Sequence, residues 1–247
     1  MERLDTVNEK IRLLQREDSL RFGTDAFLLS AFCRPAAGAD AVELGCGTGV
    51  VSLLLAARQT YRHVTGIEIQ KEMYDVTCRN IQENGFSDTV SALLADLREV
   101  SATVLGREAE VVLANPPYMR TDSGYASPHA AKQISRHEVA GGIADFAACA
   151  ARCLKFGGSF YTVYRPDRLE SLFAALRKNR LAPKRMVFVH DHPGKEPSMV
   201  LTEARLGGGE GLTVLPPLFL HDLDENGIPL RHLSQKAQKI YDTGRFD

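Results

Sequence analysis

The sequence lacks most of the features that would settle a class at once. Charge of neither sign prevails: 30 Lys and Arg stand against 31 Asp and Glu in 247 residues, a net charge of -1. A globally basic nucleic-acid binder is thereby excluded, and any nucleic-acid contact must come from a local patch. No run approaches the roughly 18 apolar residues of a membrane span. The opening MERLDTVNEKIRLLQ mixes both charge signs and has no apolar stretch leading to a small-residue cleavage site. No secretory signal is therefore expected, and a cytoplasmic location is. Cysteine is scarce and scattered (Cys33, Cys46, Cys78, Cys149 and Cys153) with no Cys-x-x-Cys pair. That pattern reads as reduced thiols rather than a disulfide framework or a zinc site. Internal repeats and low-complexity segments are missing too.

What is present is an ordinary globular composition, 44% hydrophobic and 25% charged, long enough for one α/β domain. From residue 41 strand-like and helix-like segments alternate. Strands are expected at 41–44, 63–69, 90–94, 111–114, 158–164, 185–190 and 199–204. Helices are expected at 50–57, 70–83, 143–154 and 169–180, with a weak amphipathic one at 234–241. Before them, residues 8–16 suggest a short extended stretch, and Thr24 is placed to cap a helix over Asp25–Phe32. This alternation predicts a doubly wound, mostly parallel α/β sheet with right-handed crossovers. The last two strands are joined by His192-Pro-Gly-Lys-Glu-Pro197, a loop without a helix. One antiparallel strand near the edge of a seven-stranded sheet follows. Residues 1–40, 41–206 and 207–247 divide as N-terminal extension, core and C-terminal extension of a single domain.

The first strand ends in Glu43-Leu-Gly45-Cys-Gly47-Thr-Gly49. Glycines at a strand-to-helix turn permit positive φ and close approach of a ligand to the backbone. The spacing is G-x-G-x-G with an acid in front, which departs from the dinucleotide pattern G-x-G-x-x-G. A carboxylate here would repel a pyrophosphate but favours a ligand bearing a sulfonium and an ammonium, such as S-adenosylmethionine. Glu68, at the second strand end, can accept from ribose hydroxyls. Asp96, after the third, can accept from an adenine amino group. Ile69 and Leu97, next in the chain, are counted with them as lining the cofactor.

The fourth strand runs into Asn115-Pro116-Pro117-Tyr118. Two prolines remove two N–H donors and stiffen the corner. The Asn115 side-chain oxygen and the Pro116 carbonyl then supply two acceptors for the two hydrogens of a planar NH2 group, and Tyr118 offers a face for stacking. A delocalised exocyclic amine is a poor nucleophile. Two acceptors favour its pyramidal form, with the lone pair aimed at a methyl donor, and much of the rate would come from orientation.

With these two motifs the sequence resembles class I S-adenosylmethionine-dependent methyltransferases of the Asn-Pro-Pro-Tyr, amine-methylating kind. The flanks resemble the bacterial tRNA adenine-N6 methyltransferases that act on adenine 37 of a valine tRNA. They include Phe22-Gly-Thr-Asp25, His137-Glu138, Asp145-Phe146, Tyr164-Arg165-Pro166, Pro183-Lys184-Arg185, Glu203-Ala204 and Pro216-Pro217-Leu218. The resemblance implies a Rossmann-like methyltransferase sheet and S-adenosylmethionine as cofactor. It also implies a tRNA substrate, and Thr24 and Asp25 beside the methionine end of the cofactor; Asn115 is counted among the cofactor residues as well. Two alternatives share the corner: glutamine-N5 methylation of a release factor, and methylation of another RNA amine such as guanine N2. The release-factor enzymes carry a longer helical region before the core than the roughly 40 residues found here.

For RNA, the local basic surplus lies at Arg177, Lys178, Arg180, Lys184 and Arg185, and around the loop after the corner at Arg120, Lys132 and Arg136. Such side chains suit phosphate contacts. That loop, 119–132, is expected to be mobile until substrate arrives. His190-Asp-His192 lacks a third ligand, so no metal is expected. Cys149 and Cys153 share a helix face as core packing, Pro216-Pro217 is a structural turn, and nothing calls for an obligate protein partner or a membrane.

Overall fold

The computed structural model describes residues 2–8, 10–16, 23–117 and 141–246. The strands are β1 (Glu2–Asn8), β2 (Ile11–Arg16), β3 (Ala36–Leu44), β4 (Tyr61–Glu68), β5 (Val90–Leu94), β6 (Ala109–Ala114), β7 (Leu154–Tyr164), β8 (Leu181–His190) and β9 (Pro197–Leu206), with two short additions, β10 (Thr213–Val214) and β11 (Leu218–Phe219). The helices are α1 (Thr24–Phe32), α2 (Val50–Ala57), α3 (Lys71–Glu83), α4 (Ala102–Leu105), α5 (Ile143–Cys153), α6 (Leu169–Lys178) and α7 (Gln235–Thr243).

The main sheet has the order β10-β8-β9-β7-β6-β3-β4-β5, with β11 also on β8. β9 runs antiparallel to both β7 and β8, while β3 through β7 pair in parallel. The seven expected strands are all there, and the reversed one is β9, one place in from β8. β10 and β11 bring the sheet to nine strands. The sequence does not announce them, because two residues are too few to carry an alternating pattern.

Period-two alternation splits the sheet residues between two cores, as a sheet covered on both faces requires. Along β6, Val111 and Leu113 join one cluster and Val112 and Ala114 the other. The first cluster is completed by α1, α2 and α7, the second by α5 and α6. Helix α1 has no polar face: Ala26 through Phe32 are all buried. Its C-terminal carbonyl, on Phe32, accepts from the Arg185 guanidinium at 2.6 Å, and Arg185 in turn pairs with Glu203 at 2.9 Å. Thr24 is not the cap of α1. Gly23 occupies that position and Thr24 is the first helical residue, with no side-chain cap bond.

The extended stretch expected before α1 is the second arm of a hairpin, β1–β2, which the sequence pattern does not reveal. It is held by two side-chain amides one turn apart, Asn80 on α3 and Asn84 as its C-cap. Asn84 accepts from Arg12 N at 2.9 Å and donates to Arg12 O at 2.7 Å. Asn80 does the same for Leu14, at 2.7 and 3.0 Å. Residues i and i+4 of a helix lie about as far apart as i and i+2 of a strand, so the two amides act as a short substitute strand. Asn80 is fully buried and also donates to Thr48 O at 2.9 Å. Replacing it by Ala strands two carbonyls and one N–H. Asn80→Ala should therefore cost about 3 kcal/mol in urea unfolding, and a loss below about 1 kcal/mol would contradict this role.

Candidate active site

Strand order reverses between β3 and β6, which neighbour each other although β4 and β5 lie between them in sequence. Ligands of open α/β sheets bind at such a switch point, outside the carboxyl ends of the strands. The expected residues fall there in spatial order: Asn115 after β6, the glycine turn after β3, Glu68 at the end of β4, and Asp96 after β5.

The turn needs its glycines. Gly45, Gly47 and Gly49 have φ of 69°, 57° and 79°, a region that costs other residues strain. A Cβ on Gly49 would sit 2.9 Å from the Thr77 methyl. The Thr77 hydroxyl donates to Gly47 O at 2.5 Å, so α3 clamps the turn through Thr77 and Asn80. Neither clamp stands out in the sequence. Thr77 reads there as one more position on the buried face of α3.

Two carboxylates are buried against this turn. Glu43 accepts from the backbone N–H of Ser52 at 2.9 Å and from its hydroxyl, which caps the positive end of α2. Glu68 accepts from Gly47 N at 2.9 Å and from Gln70 N at 2.8 Å. Burial pushes Glu43 up to about 7, the Ser52 bonds oppose it, and the charge of Glu68 adds to the rise. Burial likewise raises Glu68, against its backbone N–H partners. Among the described residues, neither is ion-paired to a Lys or Arg. The turn thus presents negative charge that suits a cationic ligand and opposes a pyrophosphate. Each carboxylate has about four acceptor directions, so these bonds leave capacity for further donors.

Asp96, expected to accept from an adenine amino group, has a partner within the protein. Its carboxylate is gripped by Arg98, with Nε at 2.8 Å and Arg98 N at 2.9 Å, and this contact holds its carboxyl below the usual range. Leu97 is a core side chain, while Ile69 is half-buried beside Glu68. The turn carrying Asp96 is fixed from below by Arg152 of α5. Its guanidinium donates to Leu97 O at 2.8 Å and Val100 O at 3.0 Å. No local signal points to that contact, since an Arg near a helix C-terminus ordinarily faces solvent.

At the corner, Pro116 is buried and Pro117 half-buried. Asn115 donates through Nδ2 to Asp25 Oδ2 at 3.0 Å. Asp25 and Thr24 also line a cavity of about 240 Å³ with Tyr164, Arg165, Ser198 and Met199. Tyr118, Arg120, Lys132 and Arg136, with the loop 119–132, lie outside the described residues.

The remaining basic residues do not converge on this site. Arg177, Lys178 and Arg180 are exposed, but at the amino end of β8, the opposite edge of the sheet from the carboxyl-end crevice. Lys184 is spent on the carbonyls of Gly209 and Glu210. Arg185 is buried, bonded to Glu203 and Phe32 O and stacked over the Phe32 ring at 4.1 Å. It is a core ion pair and not a phosphate ligand. No group of three or more His, Cys, Asp and Glu among the described residues is placed to hold a metal, and none of the described helices is long and apolar enough to cross a membrane.

An open sheet with a glycine turn at its switch point and carboxylates at successive strand ends defines a Rossmann-like α/β protein of the methyltransferase type. The chain belongs to the methyltransferase small domain family, which matches residues 17–178. A tRNA1(Val) (adenine(37)-N6)-methyltransferase of Phocaeicola vulgatus is 29% identical over 183 residues, covering 74% of this chain and 76% of that protein. One of the same name from a Flavobacteriaceae bacterium is 22% identical over 233 residues, covering 94% and 91%. Among solved structures, a predicted O-methyltransferase from Agrobacterium tumefaciens superposes with a TM-score of 0.72 at 22% identity, covering 90% of this chain and 97% of its own. The tRNA m1G37 methyltransferase of M. jannaschii gives 0.55 at 15% identity, covering 84% and 57%. These two likenesses are of fold.

The unfolded Glu43 carboxyl loses its proton near 4.5 and the folded one near 7, so the folded state holds the proton more tightly. Stability from this group is complete below about 4.5 and is lost as pH rises through about 7. In Glu43→Gln the neutral amide keeps an acceptor for Ser52. Urea unfolding should show the wild type losing stability relative to the variant across that window, and parallel pH profiles would contradict the assignment.

Proposed function

We propose that this protein transfers a methyl group from S-adenosylmethionine to the exocyclic N6 of an adenine in tRNA, at adenine 37 of a valine tRNA. The observation that carries the reading is the Asn115-Pro116-Pro117 corner one strand away from a glycine turn with two buried carboxylates unpaired by Lys or Arg among the described residues. The names and coverage of the curated relatives support the substrate.

The donor set fits a cationic nucleoside. Glu43 and Glu68 supply negative charge beside three glycines that leave the backbone open to approach. When bound, S-adenosylmethionine supplies an electrophilic methyl on a sulfonium. Glu68 and the turn would hold the nucleoside end, with Gly45, Gly47 and Gly49 allowing close backbone contact. Asp96 and Leu97 would meet the base end, with Asp96 dividing its carboxylate between Arg98 and the ligand. Asn115 Oδ1 and the Pro116 carbonyl accept the two amine hydrogens and orient the nitrogen lone pair, with Tyr118 as the stacking face. No strong base is required, because the proton leaves after the nitrogen has become cationic. The target base must be unstacked from the tRNA loop to reach the corner.

Purified protein, methyl-labelled S-adenosylmethionine and unmodified tRNA form the direct assay. Label should appear in N6-methyladenosine. Asn115→Ala should lower turnover by about 100-fold or more while cofactor affinity and folding persist. Label in N2-methylguanosine, or in glutamine of a supplied release factor alone, would overturn the reading, and so would an Asn115→Ala variant of full activity.

A further inference from the structure

Asp25 lies 90 positions from Asn115 in sequence, yet its Oδ2 accepts from Asn115 Nδ2 at 3.0 Å. Its other oxygen, Oδ1, accepts from the Ala26 N–H at 2.8 Å. The carboxylate is therefore pinned on the first turn of α1, where the free N–H groups of the helix favour negative charge. A carboxylate offers acceptors only, while an amide offers both an acceptor oxygen and a donor NH2. The bond thus has a single polarity: the NH2 of Asn115 must face Asp25, and its carbonyl oxygen must face away. An amide flipped by a half-turn would set two acceptors against each other. Packing alone scarcely distinguishes the two orientations, since the amide O and N are almost the same size. Methylation of an amine needs the oxygen outward, because an outward NH2 would meet the acceptor NH2 donor to donor.

We infer that Asp25 is a positioning residue that locks the Asn115 amide with Oδ1 toward the acceptor amine, rather than a ligand of the methionine end of the cofactor. The inference rests on the reading of Asn115 as the amine ligand. Gly23 belongs to the same device. A Cβ there would lie 2.8 Å from Asp25 Oδ1, so any side chain at position 23 crowds the carboxylate off its place.

The variants Asp25→Asn and Gly23→Ala test the lock without removing Asn115. The amide that Asp25→Asn installs can meet Asn115 in either orientation, so the preference disappears while the shape stays. Turnover on tRNA should fall on the order of 10- to 100-fold, with S-adenosylmethionine affinity within about twofold of wild type. Combining Asp25→Asn with Asn115→Asp restores a bond of fixed polarity: position 25 now donates, and position 115 keeps an outward carboxylate oxygen where Oδ1 stood. The double variant should exceed the single Asn115→Asp variant, in which two carboxylates oppose each other, by about 10-fold. A structural or cofactor-binding role for Asp25 would give no such rescue. The bond is also visible without any substrate: the Asn115 side-chain NH2 of labelled full-length protein should exchange slowly in wild type and fast in Asp25→Ala. Loss of cofactor affinity in step with turnover, or an Asn115 NH2 signal indifferent to Asp25→Ala, would overturn the proposal. A wild type that methylates no tRNA would overturn the substrate reading instead, and the NH2 signal would still decide the lock.

Discussion

The site depends on two carboxylates held out of water, neither paired to a Lys or Arg among the described residues. Glu43 and Glu68 stand at the ends of neighbouring strands, and each is tied to backbone N–H groups of the segment it supports: Ser52 at the start of α2, Gly47 in the turn. Burying charge in this way is costly, and hydrogen bonds from fixed dipoles offset only part of the cost. The raised proton affinity of both groups expresses what is left. A cationic ligand would relieve that remainder and a pyrophosphate would worsen it.

Around this centre the packing fixes positions in a definite order. The glycines let the turn pass close to α3, and Thr77 and Asn80 clamp it there. Asn80 extends the same clamp to the N-terminal hairpin. On the other side of the switch point α1 is held at both ends, by Arg185 on the carbonyl of Phe32 and by Asn115 on Asp25. The Asn115 corner is thus braced by a helix from outside the central strand–helix alternation.

Much of this is legible in the residues. Alternating apolar runs place seven strands and the crossover helices, and a helix-free loop marks the reversed strand pair that β8 and β9 form. Acid-then-glycine spacing and the double proline locate the crevice, because those features are demands of backbone geometry. What escapes are polar contacts between distant segments. Asn80 and Asn84 look like a solvated helix face until β2 is seen to need partners. Arg185 sits in a basic cluster, but its charge is met by Glu203, a residue on the next strand. The family resemblance puts Asp25 beside the methionine end of a cofactor, and only the fold brings it to Asn115. In each case the decisive partner is remote in sequence, and local pattern carries no information about it.

Recognition of a cation through Glu43 can be tested by titration calorimetry of the full-length protein with S-adenosylmethionine, near pH 6.5, in buffers of different ionisation enthalpy. If the turn recognises a cation through Glu43, binding must drive that carboxyl from its partly protonated state to the ionised one and release a proton, and NAD must not bind in its place. Proton uptake, no proton exchange, or NAD binding as tightly as S-adenosylmethionine would contradict the account.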